Sequence, residues 1–179
     1  MPVRRADAAR NAAALLTAAR ELFDESGHDI AMDEVARRAG VGNATLYRHF
    51  PTRGDLLVAA YAEEVDALCR RGADAARAAD PVDALFGWLD EFVAHVATKR
   101  ALALAATTGP DARRTELFER WHASMRETAT VLADRAADAL TPGVTGPDLL
   151  ALANGIAVAA TDPAHARHLA ALLRHGVQR

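Results

Sequence analysis

The stretch Asp33-Glu-Val-Ala-Arg-Arg-Ala-Gly-Val-Gly-Asn-Ala-Thr-Leu-Tyr-Arg-His-Phe-Pro-Thr-Arg53 decides how this chain folds. Val35, Ala36 and Ala39 fall on one face of a short helix, Gly40 interrupts it, and Val41 turns inward. Leu46 and Phe50 then form an i, i+4 apolar pair on a second short helix. A small Ala36 lets the two helices cross closely, and glycine at position 40 can take the left-handed backbone of a tight corner. This is the pattern of a helix-turn-helix. The outward side of the second helix offers Asn43, Thr45, Tyr47, Arg48 and His49. Such hydrogen-bonding, aromatic and cationic groups reach phosphates and base edges in a major groove. A plain helical hairpin with a solvated face has the same spacing, so spacing alone leaves both readings open.

Residues on either side extend the pattern. Arg10 to Gly27 forms one amphipathic helix, with Leu15, Leu16, Ala19, Leu22 and Phe23 at i, i+1, i+4, i+7 and i+8. Ser26-Gly27 closes it. Beyond the motif, Thr52 is a natural N-cap for a further helix, and Asp55 can return the bond as a short capping carboxylate. Three helices then share one small core, with the first turn of a fourth beside it.

With these residues in view, the chain resembles the TetR family of bacterial transcriptional regulators. The likeness rests on Ala19 to Phe23 followed by Glu25-Ser-Gly, on Asp33-Glu-Val-Ala-Arg-Arg-Ala-Gly-Val, and above all on Thr45-Leu-Tyr-Arg-His-Phe-Pro-Thr-Arg. It covers roughly the first third of the chain. The resemblance implies a dimer that binds a palindromic operator on double-stranded DNA and is released by a small effector molecule. It also implies that Thr45, Tyr47 and His49 touch phosphates or base edges. Arg48 falls at a variable position that helps set sequence preference, and Arg53 stands where a phosphate-contacting lysine is usual. Gly42, Asn43 and Ala44 occupy the start of the recognition helix.

Three departures from that family pattern matter. Ala31 sits where a capping threonine is preferred, so the cap of the second helix falls to Asp29, Asp33 or water. A lost cap of this kind costs about 1 kcal/mol. Gly42 replaces a serine, a weaker cap, and Asn43 replaces a common lysine, removing one cation from the DNA face. The first 55 residues hold eight Arg and eight Asp or Glu, so this part is neutral in sum. The signs separate nonetheless. Arg4, Arg5, Arg10, Arg37, Arg38, Arg48 and Arg53 gather at the N-terminal arm and the motif, whereas Glu21, Asp24, Glu25 and Asp29 lie at the far end of the first helix. Neutral total charge predicts modest non-specific affinity without excluding specific contacts.

The whole chain fits a compact cytoplasmic regulator. Its 179 residues, 51% hydrophobic, suffice for a core in one or two domains. A net charge of −3 argues for localised recognition over general coating of nucleic acid. The single Cys69 excludes an internal disulfide and fits a reducing compartment, with a packed thiol favoured over a redox sensor. No apolar run approaches the roughly 20 residues that span a bilayer, and the Arg-rich start lacks a signal-peptide core.

Alanine dominates, β-branched residues are sparse and no stretch alternates with period two, so the expected fold is all-α. Asp80-Pro81 and Asp162-Pro163 each pair an N-cap with proline at the first helical position. Thr107-Thr-Gly-Pro and Thr141-Pro-Gly-Val-Thr-Gly-Pro are breaks. Nine helices follow, near 10–26, 33–39, 44–50, 53–78, 81–97, 100–106, 111–139, 147–160 and 163–176, the number the resemblance also implies. The division expected is a helix-turn-helix DNA-binding domain over 1–55 and an effector-binding and dimerisation domain over 56–179.

In the second part, Leu85, Trp88, Leu89, Phe92, Val93 and Val96 form one helical stripe, and Phe118, Trp121, Met125, Thr128 and Leu132 form another. Trp88, Phe92, His95, Phe118, Trp121, Met125 and Thr128 suit a mostly apolar cavity with a few orienting polar groups. Each taken singly suits a solid core better than a cavity wall. The resemblance adds that the family's effector cavity lies between these helices. His122, on a neighbouring face, is expected in solvent.

The helix near 147–160 leaves almost no polar side, with Leu149, Leu150, Leu152, Ala153, Ile156, Ala157, Val158 and Ala160, and its partner carries Ala166, Leu169, Ala170, Leu172, Leu173 and Val177. A helix apolar all round must be buried on more than one face. Leu149, Leu152, Ile156, Ala166, Leu169 and Leu173 therefore fit an isologous four-helix homodimer interface, against the alternative of a purely internal core. His165, His168 and His175 lack a completing Cys or carboxylate, so no metal site is expected, nor any cofactor. There is no phosphate loop, no supported Ser-His-Asp set and no HExxH, and catalysis is unsupported. The expectation is a ligand-responsive dimeric DNA-binding regulator acting as a repressor. The competing readings are an activator, an effector-independent regulator, or a helical protein–protein adaptor.

Overall fold

The computed structural model describes residues 2–26, 30–107 and 112–179, with side chains described over 6–25, 30–99 and 116–179. The described residues form eight α-helices: α1 (Pro2–Ser26), α2 (Met32–Arg38), α3 (Asn43–His49), α4 (Arg53–Ala75), α5 (Pro81–Thr107), α6 (Ala112–Arg135), α7 (Gly146–Ala159) and α8 (Pro163–Val177). A single 3-10 turn, Ala137–Ala139, follows α6. The only β pairing among them is one isolated antiparallel bridge between Leu140 and Gln178. The fold is all-α, as the composition predicts.

Among the described residues there is one helix fewer than expected, because 81–97 and 100–106 are one helix. Nothing between them breaks it: Thr98 turns its hydroxyl onto the Ala94 carbonyl at 2.8 Å and stays in the spiral. Three further bounds differ. Helix α1 starts at Pro2, not Arg10; α4 stops at Ala75; and α6 gives way to the 3-10 turn before position 139. The caps follow the sequence more closely. Thr52 and Asp55 bond reciprocally, with Asp55 N–H donating to Thr52 Oγ1 at 3.1 Å and Thr52 N–H to Asp55 Oδ2 at 3.0 Å. Asp80 accepts from the amides of Val82 and Asp83, and Asp162 from those of Ala164 and His165. A second capping box, Thr145 with Asp148, opens α7. Helix α2 has no side-chain cap at Ala31; Asp33 does not supply one, and Asp29 lies outside the described residues.

The chain divides into two compact units, Met1–Glu63 with Ala101–Thr115, and Glu64–Arg100 with Glu116–Arg179. Helix α4 runs unbroken from one into the other. In the first unit Leu15, Ala19, Leu22 and Phe23 of α1, Val35 and Ala36 of α2, Leu46 of α3 with Phe50, and Leu56 and Leu57 of α4 are buried. An ion pair adds to it, Arg20 of α1 with Glu63 of α4 at 2.5 Å. In the second unit Leu68 of α4, Leu85, Trp88, Leu89 and Phe92 of α5, Trp121, Met125 and Leu132 of α6, and Leu149 and Ala153 of α7 are buried. The chain end is fastened there too: Thr141 N–H donates to Val177 O at 2.8 Å, and Arg179 N–H to Ala139 O at 2.9 Å.

Helix α7 starts against α6 with no room to spare. A Cβ at Gly146 would lie 2.6 Å from the Ala129 carbonyl oxygen and 2.5 Å from Thr130 N, both backbone atoms inside α6. Backbone cannot move aside as a flexible side chain does, so overpacking there costs about 2–3 kcal/mol. Gly146→Ala is expected to lower unfolding stability by that amount in urea titrations. A loss below about 0.5 kcal/mol, the range of ordinary surface substitutions, would contradict this packing.

Candidate nucleic-acid interface and interior site

The corner between α2 and α3 is built by backbone bonds. Gly40 has φ 65°, the left-handed conformation that favours glycine. Around it Val41 N–H donates to Ala36 O at 2.9 Å and Gly40 N–H to Arg37 O at 3.2 Å. These are the two bonds of a Schellman ending, which satisfies the last carbonyls of α2 and redirects the chain. Leu46 then enters the core completely, and Phe50 closes behind it. With that side buried, the opposite side of α3 must face out. Tyr47 is 51% exposed. Gly42, Asn43, Ala44 and Arg48 are exposed, and Thr45, His49 and Arg53 are half-buried. All eight predicted DNA-facing residues thus lie along or beside one short helix.

Charge around this face differs from the sequence expectation. Arg37 makes a two-pronged contact with Glu34 at 2.5 and 2.7 Å, and Arg38 bonds Glu25 at 2.6 Å. Those hydrogen bonds hold the Glu34 and Glu25 carboxyls below their ordinary range. Arg10 pairs with Asp7 one turn back. These arginines are therefore offset by acids, and their contribution to a positive face shrinks. Arg48 touches only Thr45 Oγ1, at 3.4 Å, and has no acidic partner among the described residues. The side chains of Arg4 and Arg5 lie outside the described residues.

The interior residues of the second unit fall into two groups. Trp88, Phe92, His95, Trp121 and Met125 are buried, with the Trp88 and Phe92 rings 6.0 Å apart and nearly parallel. Thr128 is half-buried and donates to Ser124 O within its own helix. Phe118 does not join them. Its ring is exposed and lies 4.0 Å from that of His122. Half-buried His122 also packs Nδ1 2.7 Å from Phe118 O and does not stand free in solvent. His95 is held neutral: burial first, then the nearby charges of Lys99 and Arg71, push its pKa down to about 4. Cys69 has its thiol pushed up by burial, which suits packing and not redox chemistry.

The predicted interface residues also separate. Leu149 and Ala166 are closed off inside the protomer, so they cannot reach a second copy directly. Leu152 is 51% exposed, and Ile156, Leu169 and Leu173 are half-buried. Leu172, at 54% exposed, joins them. Two features escaped the sequence reading. Arg174 of α8 bonds Asp83 of α5 at 2.6 Å and lies over the Phe86 ring, and Gly72 packs against Trp88 and Thr128. A glycine within the last turn of α4, with no break following it at once, was the one available signal for the second.

Comparison with known proteins gives matches in both parts of the sequence. A family model described as bacterial regulatory proteins, tetR family, matches residues 15–60. A second, described as the C-terminal domain of SbtR-like transcriptional regulators, matches residues 80–179. An HTH-type transcriptional regulator of Staphylococcus aureus is 43% identical over 53 residues, 29% of this chain and 29% of that protein. The chain thus matches less than a third of the length of its curated relatives. A TetR transcriptional regulator from Streptomyces coelicolor is similar in structure, with TM-score 0.76 and 31% identity over 93% of this chain and 98% of the other. A TetR regulatory protein from Mycobacterium vanbaalenii gives TM-score 0.77 and 29% identity over 98% and 99%.

The buried imidazole gives a pH signature. Unfolded His95 titrates near 6.5 and native His95 near 4, so the native state refuses a proton that the unfolded chain accepts. Stability is therefore present above pH 6.5 and falls as pH drops toward about 4, by up to about 3 kcal/mol. His95→Gln is expected to flatten that part of the urea-unfolding profile. An unchanged slope between these pH values would show that His95 is not held neutral.

Proposed function

Because the chain belongs to the TetR family of bacterial DNA-binding transcriptional regulators, which are not enzymes, we propose that it is a ligand-responsive homodimeric repressor of an operator on double-stranded DNA. In this reading residues 1–55 bind the duplex, and residues 56–179 bind the effector and join two copies. One observation carries it: a helix with Leu46 fully buried turns Asn43, Tyr47 and Arg48 outward together. Tyr47, Thr45, His49 and Arg53 take phosphate or base-edge contacts, Arg48 supplies sequence preference, and Gly42, Asn43 and Ala44 bring the backbone close.

Two copies fit a palindrome when their α3 helices stand about 34–36 Å apart, one helical turn of DNA. The exposed Leu152 and Leu172, with Ile156, Leu169 and Leu173, supply the apolar face for the second copy. A small, largely apolar effector seated among Trp88, Phe92, His95, Trp121, Met125 and Thr128 favours a different spacing and empties the operator. Swinging the population from almost fully bound to almost fully free takes about 5.5 kcal/mol of preference. Helix α4 is the lever. No helix among the described residues is long and apolar enough to cross a membrane, and the proposed site of action is the cytoplasm. A filled interior, favoured by the close burial of Trp88, Trp121 and Met125, is the second reading. It makes the protein an effector-independent regulator, and a thermal-shift screen of small molecules separates the two.

Selection from random duplexes is expected to yield a palindromic site. Arg48→Ala and Tyr47→Ala should each weaken binding to it by about 1–3 kcal/mol in gel shifts, without altering thermal unfolding. Binding unaffected by both changes would remove α3 from the interface. For the pairing of copies, Leu152→Glu with Leu172→Glu is expected to give a folded monomer in sedimentation, and a persistent dimer would move the interface elsewhere.

A further inference from the structure

Helix α4 meets α5 and α6 at one point of unusually close approach. Gly72 is buried there, and a Cβ in its place would lie 2.8 Å from Trp88 Nε1 and 3.2 Å from Trp88 Cδ1, and would overlap Thr128 Cγ2. The space that glycine leaves is used. The Trp88 indole N–H reaches the main chain of α4 and donates to the Leu68 carbonyl at 3.0 Å, in a buried bond. Leu68 and Gly72 are one helical turn apart, so the indole sits over the turn whose side chain is missing. Gly72 stands in the last turn of α4, where alanine would favour the helix but would fill this space.

From this geometry we infer that Gly72, Trp88 and Thr128 form the coupling contact by which the interior of the second unit sets the position of α4. The inference rests on the proposed regulatory reading and adds its residues. Trp88 is both a wall of the proposed effector site and a donor to the α4 backbone. A molecule that displaces the indole breaks a buried hydrogen bond to the lever itself, without any intermediate element. Thr128 reaches the same turn from α6, so both effector-lining helices bear on one residue of α4. The glycine makes that possible: any side chain at 72 holds the indole and the threonine methyl away. Phe92, stacked on Trp88, extends the contact along α5.

The test uses the full chain and a duplex selected from random sequence by the unaltered protein. Failure of the unaltered protein to select any duplex would defeat the regulatory reading itself, before this inference is reached. Gly72, Trp88 and Thr128 all belong to the second unit, and the proposed DNA-facing residues all belong to the first. A purely structural role would therefore change unfolding temperature and leave duplex affinity alone. Gly72→Ala is expected to change duplex affinity at least fivefold while keeping cooperative unfolding and the native association state. Adding Thr128→Ser, which deletes the overlapped methyl, should recover part of the change. If Gly72→Ala does not fold, Trp88→Phe decides by the same criterion, since it keeps an aromatic ring and removes the donor. A folded variant of native association state that binds the duplex within twofold of the unaltered protein overturns the inference.

Discussion

Burial of Leu46, with Phe50 closing behind it, is the interaction on which the rest depends. Helix α3 has seven residues, far too few to hold a helix in water by backbone bonds alone. Gly42 gives it no side-chain cap, so even the usual help at the N-terminus is missing. What fixes it is tertiary: one fully buried leucine, a phenylalanine at the exit, and the Schellman corner at Gly40 that sets the angle of entry. Because 3.6 residues make a turn, fixing positions 46 and 50 inward turns 44 and 48 to the opposite side, while Asn43 at the helix start and Tyr47 at its flank are exposed as well. The surface proposed to meet a duplex is thus a consequence of the core behind it.

The same logic explains what could be read from the sequence. Helices with strong periodicity and explicit punctuation were legible: Thr52 with Asp55, Asp80-Pro81 and Asp162-Pro163 all cap where their side chains predict. The false break near residue 98 arose from assuming an ending where no glycine or proline marks one. Thr98 satisfies its hydroxyl within the helix and lets α5 continue. The charge pattern around the motif was legible only in part. Linear order shows Arg37 and Arg38 next to the recognition segment. It also shows Glu34 at i, i+3 from Arg37, one turn away, but it does not show that Glu25 arrives from another helix.

Contacts between distant helices were the least legible. An apolar residue announces burial but not its partner, so Leu149 and Leu152 looked alike in sequence. In space the first is sealed within the protomer and the second stands half open. Phe118 shared a stripe with Trp121 and Met125 but points its ring outward onto His122. Arg174, an ordinary surface residue by type, lies across Phe86 and grips Asp83. Exposed ion pairs of this kind contribute roughly 0–1 kcal/mol, so they orient α8 against α5 more than they stabilise it. Packing at Gly72 and Gly146 is sharper, because a missing Cβ is a geometric requirement and not a preference.

Guanine-N7 methylation protection on the selected duplex puts the central claim to its most direct trial, since N7 lies in the major groove. The account predicts two protected major-groove segments related by two-fold symmetry, their centres one helical turn or a multiple of it apart. Each should lose protection when Arg48 is replaced. Protection confined to the minor groove, or a single patch indifferent to that replacement, would contradict the account.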